Sequence, residues 1–267
     1  MRKTIGKLFL ILMLLVIYAP ILILAVYSFT DSGNIGSIHG FSMQNYVTLF
    51  TKGELRDMIV GTVLLALVSS LLATILGTMG AIGAFYSKKL AKNFINTANQ
   101  IPVVNADVVT GFSICVLLIV AFGMNKESYV PLLIGHVVLS APFVYLSVVP
   151  KLKQMDASLY EAAMDLGASP SMALRKVVIP QIMPGIVSGF ALAITLSLDD
   201  YFIASYTKPA TFNTISTYVV NATKGSQTEI KTALSTVIFL IVILAVVVMN
   251  VAGRKTTSEK GGVCNEK

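Results

Sequence analysis

Long apolar runs separated by short polar segments recur along the whole chain. Six of them reach about 20 residues, the length at which an α-helix crosses the roughly 30 Å hydrocarbon core of a bilayer. Strand-like alternation is absent, and backbone groups in lipid must be satisfied within the segment, so we predict helices. The predicted spans are Leu8–Phe29, Ile59–Tyr86, Val103–Gly123, Tyr129–Val149, Pro184–Tyr206 and Ala233–Ala252.

The first apolar run follows Arg2, Lys3 and Lys7, a pattern that also occurs in secretory signals. Its apolar stretch is longer than the core of about 7–15 residues that a cleaved signal peptide has. We therefore expect a retained signal-anchor helix.

Composition agrees with a membrane location. Of the 267 residues, 55% are hydrophobic and 12% are charged. Soluble domains carry about a quarter charged residues, so a soluble enzyme, a disordered chain and a nucleic-acid-binding protein are all disfavoured. The two cysteines do not suggest a disulfide framework. We predict an all-α integral membrane protein with a single transmembrane domain over residues 1–267.

The basic residues indicate orientation. With the N-terminus in the cytoplasm, 14 of the 20 Lys and Arg residues fall on cytoplasmic segments and 6 on the opposite side. This bias follows the positive-inside rule and predicts that both termini are cytoplasmic. The net charge of +7 is thus explained by topology, and it requires no nucleic-acid partner.

Small residues repeat every four positions in the second predicted span, at Ala73, Gly77 and Ala81, with Gly80 and Ala84 beside them. Such spacing lets helices approach closely in a membrane, where no hydrophobic effect acts between helices. We expect a packing face here, with a gating hinge as the alternative.

The longest loop between predicted spans, Pro150–Met183, contains several helix-boundary signals. Ser158 and Glu161 fit a capping box, and Gly167 fits the position just after a helix. Ser169 and Pro170 then fit the cap and first position of a second helix. A compact helix–turn–helix on the cytoplasmic side is predicted.

The same loop carries a family resemblance. Glu161-Ala162-Ala163, Gly167 and Val177-Val178-Ile179-Pro180 resemble the E-A-A-x3-G-x9-I-x-L-P loop of ABC importer permeases. The sequence departs from that pattern at Val177 and Ile179, both conservatively. The stretch from Gly40 to Tyr46 also resembles the segment before span two in these proteins. The resemblance is to the MetI-like, binding-protein-dependent family, and it implies the six-helix type I importer permease fold.

The resemblance implies a role for this loop in coupling to an ATPase. A helix over Ala162–Gly167 would dock in a cleft of a separate ATP-binding subunit, with Glu161 either contacting that subunit or capping the helix. The residues assigned to coupling are Glu161, Ala162, Ala163, Asp165, Leu166 and Gly167.

The family also implies the partners and the location. These partners are a second permease subunit forming a heterodimer, two ATP-binding subunits, an extracytoplasmic polyamine-binding protein and the lipid of a bacterial inner membrane. No G-x-x-x-x-G-K-[ST] sequence occurs in this chain, so ATP and Mg are expected on the partner ATPase and no cofactor is expected here. His39 and His136 are the only histidines, and no metal site is expected.

Three acids lie within predicted spans: Asp107, Asp199 and Asp200. An ionised side chain at the bilayer centre costs about 2.5–3.5 kcal/mol even on insertion scales, which favours a functional role. The stretch around Asp199 resembles the L-D-D segment of polyamine permeases. These acids, with Ser197 and Tyr201, are assigned to a substrate pathway through ion pairing, hydrogen bonding and cation–π contact. We expect Asp107 to lie lower than Asp199, as in a relay.

Other interpretations of these acids remain open. Asp107 alternatively caps a helix start after Pro102, and Asp199 and Asp200 alternatively line an outer vestibule. A permease for another solute fits the same loop. A proton-coupled secondary transporter would use Asp107 and Asp199, but no inverted repeat is evident. An intramembrane aspartyl protease would need a G-x-G-D sequence, which neither acid has.

Overall fold

The computed structural model describes residues 2–30, 40–156, 158–222, 232–244 and 246–247. Over these residues the regular structure is helical, apart from one isolated bridge between Thr30 and Phe41. The helices are α1 (Arg2–Ser28), α2 (Gln44–Thr51), α3 (Gly53–Tyr86), α4 (Lys89–Val104), α5 (Asp107–Cys115), α6 (Val130–Gln154), α7 (Ser158–Asp165), α8 (Pro170–Ala173), α9 (Ile179–Asp199), α10 (Phe202–Thr207), α11 (Ile215–Ala222) and α12 (Thr232–Leu244). Two π-helical turns, Val116–Ala121 and Leu174–Val178, continue α5 and lead into α9.

Four of the described helices are long and apolar enough to cross a membrane: Gly6–Ser28, Gly53–Tyr86, Val130–Gln154 and Pro170–Asp199. A fifth candidate is the bent pair Lys89–Val104 and Asp107–Ala121. The predicted span Ala233–Ala252 begins in α12 and runs on beyond the continuously described residues.

The chain forms two compact units, which are described separately. One comprises residues 1–60 and 215–241, and the other residues 61–214 and 242–267. In the first unit, the buried Asn45 amide donates to the carbonyl oxygens of Ser28 and Thr30, both at 3.1 Å. The Ser28 hydroxyl lies 2.8 Å from the Tyr46 hydroxyl. The Asn-Tyr pair of the resembled stretch thus ties the end of α1 to α2.

The third span differs from the prediction. A single helix over Val103–Gly123 is wrong, because the chain breaks after α4 and turns by 106° into α5. Asn105 adopts an extended conformation at the break, and its side-chain amide donates to the Thr110 hydroxyl at 3.1 Å. The backbone amide of Thr110 donates to the Ala106 carbonyl and begins the new helix.

The fifth span also differs at both ends. A single helix over Pro184–Tyr206 is wrong, since the continuous helical segment begins at Pro170 and ends at Asp199. Pro180 and Pro184 both lie within α9, which follows the wider turn Leu174–Val178. At the other end Asp200 is extended, and α10 starts afresh at Phe202.

The small-residue face of α3 packs as predicted. Ala73, Ala81 and Ala84 are buried in the second unit. A Cβ placed on Gly77 would lie 2.7 Å from the carbonyl oxygen of Ala141 and 2.8 Å from Cβ of Val144. Because only a hydrogen fits there, α3 and α6 are in backbone contact, as small residues permit in a membrane.

Candidate coupling segment and substrate site

The segment between α6 and α9 contains α7 and α8, close to where the sequence predicts them. The start of α7 differs from the predicted capping box. The Ser158 hydroxyl does not act as the cap; it donates to the carboxylate of Asp156 at 2.8 Å, and the Ser158 amide donates to the same oxygen at 3.0 Å. These two hydrogen bonds lower the pKa of Asp156. Asp156 therefore supplies the acceptor that the sequence analysis assigned to Ser158.

The end of α7 and the start of α8 confirm the predicted boundaries. Gly167 has φ +88°, the left-handed conformation that favours glycine. The amides of Gly167 and Ala168 donate to the carbonyls of Met164 and Ala163, which is the Schellman arrangement. The Ser169 hydroxyl accepts from the Met172 amide, with Pro170 at the first helical position.

Tyr160 anchors α7, and most of the other residues of the helix are exposed. Tyr160 packs on the hydrophobic cluster formed by α3, α6 and α9, with its ring 4.9 Å from that of Tyr86. No residue of α7 is fully buried, and Leu166 just beyond it is 89% exposed. Glu161 and Ala162 are exposed and Ala163 is half-buried. Sequence reasoning missed Tyr160, because nothing local marks it as an anchor.

The three acids predicted for the substrate pathway all lie at the two helix breaks. Asp107 is the first residue of α5, Asp199 is the last residue of α9, and Asp200 follows directly. Asp107 and Asp199 are exposed, whereas Asp200 is buried. Non-helical backbone at membrane depth is tolerated where protein or a polar cavity surrounds it, and broken helices commonly form substrate sites in transporters.

The structure brings the three acids together. Asp107 and Asp199 are both close enough to repel the charge of Asp200. The helices α5 and α10 are in direct contact, since a Cβ on Gly111 would lie 3.0 Å from Cα of Ile203. That Asp107 lies lower in the membrane than Asp199 stays a prediction. The 16-residue helix α4 precedes α5, which begins at Asp107.

Two pairs of aromatic rings lie on or just before the helices that start at these acids, α5 and α10. Tyr201 and Phe202 are in edge contact at 5.2 Å between centroids. Phe112 of α5 and Tyr206 of α10 are in edge contact at 5.8 Å. Exposed carboxylates and aromatic rings together suit an organic cation. The carboxylates form ion pairs with its charge, and the rings contact both its charge and its methylene groups.

Asp200 and Ser197 have partners inside the protein. The Asp200 carboxylate accepts from the amides of Ile203 at 3.2 Å and Ala204 at 2.7 Å, so it caps α10. The Ser197 hydroxyl is buried and lies 2.8 Å from Nδ1 of His136 and 3.0 Å from the hydroxyl of Ser69. Of the predicted pathway residues, Asp107, Asp199 and the half-buried Tyr201 remain accessible.

The chain matches a known family over most of its length. Residues 73–254 match the family model described as "Binding-protein-dependent transport system inner membrane component". The chain belongs to this family of membrane permeases. The membership predicted from the E-A-A loop is therefore confirmed, and the permease is a multi-pass protein of the bacterial inner membrane.

Curated relatives are similar over nearly the whole chain. The permease is 30% identical over 239 residues to the spermidine/putrescine transport system permease protein PotC of Haemophilus influenzae, covering 90% of this chain and 92% of the relative. It is 32% identical over 228 residues to the putrescine transport system permease protein PotI of Escherichia coli K12, covering 83% and 81%.

Solved structures show the same fold. A chain of the bacterial alginate ABC transporter in complex with an alginate pentasaccharide-bound periplasmic protein matches with a TM-score of 0.74 at 17% identity, covering 96% of this chain and 95% of that one. A chain of the MetNI methionine ABC transporter matches with a TM-score of 0.60 at 14% identity, covering 77% and 99%. The permease is a transport subunit that works with other ABC components and not an enzyme, since ATP hydrolysis in this family resides on separate subunits.

Proposed function

We propose that this chain is a permease subunit that imports polyamines of the spermidine and putrescine class. The observation that carries the proposal is the pair of helix breaks at which the exposed carboxylates of Asp107 and Asp199 lie, with Tyr201 two residues after Asp199. A polyamine has ammonium groups separated by methylenes, and this arrangement offers partners for both. The naming of PotC and PotI supports the same class of substrate.

The driving force would come from partner ATPases through α7. Two opposite charges 4 Å apart attract by about 4 kcal/mol at an effective dielectric near 20, so the acids would hold a cation until the spans move. Closure of the ATPases would move α7, and Tyr160 would pass that motion to the core of α3, α6 and α9. The exposed residues Glu161, Ala162, Asp165 and Leu166 would contact the ATPase, while Ala163 and Gly167 would allow close approach.

The remaining parts of the assembly belong to the same proposal. We place six spans in the membrane with both termini in the cytoplasm, the sixth beginning in α12. The partners would be a second, different permease, two ATP-binding subunits that carry ATP and Mg, and an extracytoplasmic polyamine-binding protein. This chain would act as one transmembrane domain without a cofactor of its own.

The experiment is uptake of radiolabelled spermidine and putrescine into proteoliposomes. The complete complex with ATP should accumulate label, and omission of the ATPase, of ATP or of the binding protein should abolish it. Uptake by the permease alone under a proton gradient would instead establish a secondary transporter. ATP-dependent uptake of another solute, with neither polyamine transported or competing, would establish a different substrate.

A further inference from the structure

His136 of α6 is fully buried at one end of a row of hydrogen-bonded polar side chains that joins three helices. Its Nδ1 lies 2.8 Å from the hydroxyl of Ser197 in α9, and that hydroxyl lies 3.0 Å from the hydroxyl of Ser69 in α3. All three side chains are buried. Burying polar groups costs free energy unless they are paired, so a row of three buried polar side chains indicates a structural or functional role.

The second nitrogen of the same ring faces the acid cluster. Nε2 of His136 lies 3.6 Å from Oδ2 of Asp200, and no group among the described residues is within hydrogen-bond distance of it. A lone pair on Nε2 would face a carboxylate oxygen and be repelled. The proton of a neutral imidazole therefore belongs on Nε2, and Nδ1 accepts from the Ser197 hydroxyl.

Asp200 lies at the break between α9 and α10 and caps the start of α10. Its carboxylate holds the first amides of α10 through Ile203 and Ala204, and its neighbours are the accessible Asp199 and Tyr201. Rotation of the Asp200 carboxylate would thus redirect both neighbours. A shift of about half an ångström brings Nε2 of His136 within hydrogen-bond distance of Asp200. A buried donor without a partner is unfavourable, which favours that closure during the transport cycle.

We infer that His136 is a positioning residue of the substrate site: its Nε2–H orients Asp200, and Asp200 in turn orients Asp199 toward the substrate. His136 does not touch the transported cation. The carboxylates of Asp107 and Asp199 both repel that of Asp200, so the imidazole fixes the member of the cluster on which both charges act. The inference rests on the proposed function and adds to it a residue outside the acid cluster.

Two amide variants separate the functions of the two ring nitrogens. The side-chain amide of Gln reaches the position of Nε2, whereas that of Asn reaches only the position of Nδ1. His136→Asn keeps a polar group beside Ser197, and in His136→Gln the Ser197 hydroxyl still has the Ser69 hydroxyl as a partner. His136→Gln keeps a donor for Asp200 and His136→Asn does not.

The experiment measures ATP-dependent polyamine uptake by the reconstituted complex, together with the yield of assembled complex. His136→Asn should lower uptake by about tenfold or more, the effect of one hydrogen bond to a charged group, with assembly preserved. His136→Gln should restore uptake to within about twofold of wild type. Equal uptake by the two variants would overturn the inference.

A second set of variants covers failure of His136→Asn to assemble. His136→Leu, an apolar side chain of similar size, removes both ring nitrogens and should by itself lower uptake by about tenfold. Adding His136→Leu to Asp200→Asn should change uptake by less than about twofold, because Asp200→Asn already removes the charge that His136 orients and coupled residues are not additive. If the losses of uptake caused by the two single substitutions multiplied in the double variant, the two residues would act independently, and the inference would be contradicted. If the wild-type complex itself takes up no polyamine, the proposed function is contradicted as well. If wild-type uptake is normal and the two losses multiply, only the role of His136 is contradicted.

Discussion

The ring of Tyr160 in α7 packs against the ring of Tyr86 at the end of α3, with centroids 4.9 Å apart. Tyr86 ends the helix that carries the small-residue packing face, and Tyr160 belongs to the segment proposed to bind the ATPase. This contact therefore connects the docking segment to a membrane-spanning helix. It gives the coupling proposal a specific structural route.

We predict that Tyr160→Ala uncouples transport from ATP hydrolysis. The substitution removes an aromatic pair worth about 0.5–1.5 kcal/mol beyond its buried area, so α7 should move without pulling α3. The measurement is polyamine transported per ATP hydrolysed, which should fall several-fold. Tyr160→Phe keeps the ring and is the control. A normal ratio in Tyr160→Ala would show that the route does not run through this contact.

We predict that Gly167→Val impairs assembly with the ATPase or its coupling. At φ +88° a non-glycine residue costs about 1–2 kcal/mol, and a β-branched side chain is among the least tolerated there. Gly167→Asn is the matched control, because Asn adopts this conformation more readily. Co-purification of the ATPase and uptake per ATP are the measurements. Equal behaviour of the two variants would argue against a role for the turn.

We predict different consequences for the two adjacent acids. Asp199→Asn removes an exposed charge, so polyamine uptake should fall by about tenfold while the thermal stability of the complex stays unchanged. Asp200→Asn weakens the buried cap of α10, so both uptake and stability should fall. Uptake assays and thermal unfolding of the purified complex measure the two effects. Loss of stability in Asp199→Asn alone would reverse these assignments.

We predict that Gly77→Ala destabilises the permease. The new methyl group would lie 2.7 Å from the Ala141 carbonyl oxygen, and such overpacking typically costs about 1–3 kcal/mol. Gly83→Ala on the same helix meets nothing within 4 Å and should be neutral or slightly stabilising. Thermal unfolding in detergent compares them. Equal melting temperatures would mean that α3 and α6 are not in close contact at Gly77.

Local chemistry made part of this structure predictable from sequence. Gly167 and Ser169 were identified correctly because a left-handed turn and a helix cap each depend on one residue and its near neighbours. The small-residue face around Gly77 was identified because its four-residue spacing has one main use in membrane helices. The family was identified from the spacing of the E-A-A loop.

The missed features depend on contacts between distant residues. The break at Asp200 was not predicted, because an Asp in an apolar run gives no sign that it will accept the amides of Ile203 and Ala204. The burial of Ser197 depends on His136, 61 residues away, and on Ser69, 128 residues away. An isolated polar residue in an apolar stretch does not show which distant side chain it will bond to in the folded protein.

The coupling proposal requires that the segment around Leu166 binds an ATPase subunit. A photo-crosslinking amino acid at Leu166, which is 89% exposed, tests it directly in a complex active for ATP-dependent uptake. The control position is Phe122, 68% exposed at the end of the π-helical turn after α5. We predict an ATPase adduct from position 166 and none from position 122. An active complex in which position 166 gives no ATPase adduct would contradict the account.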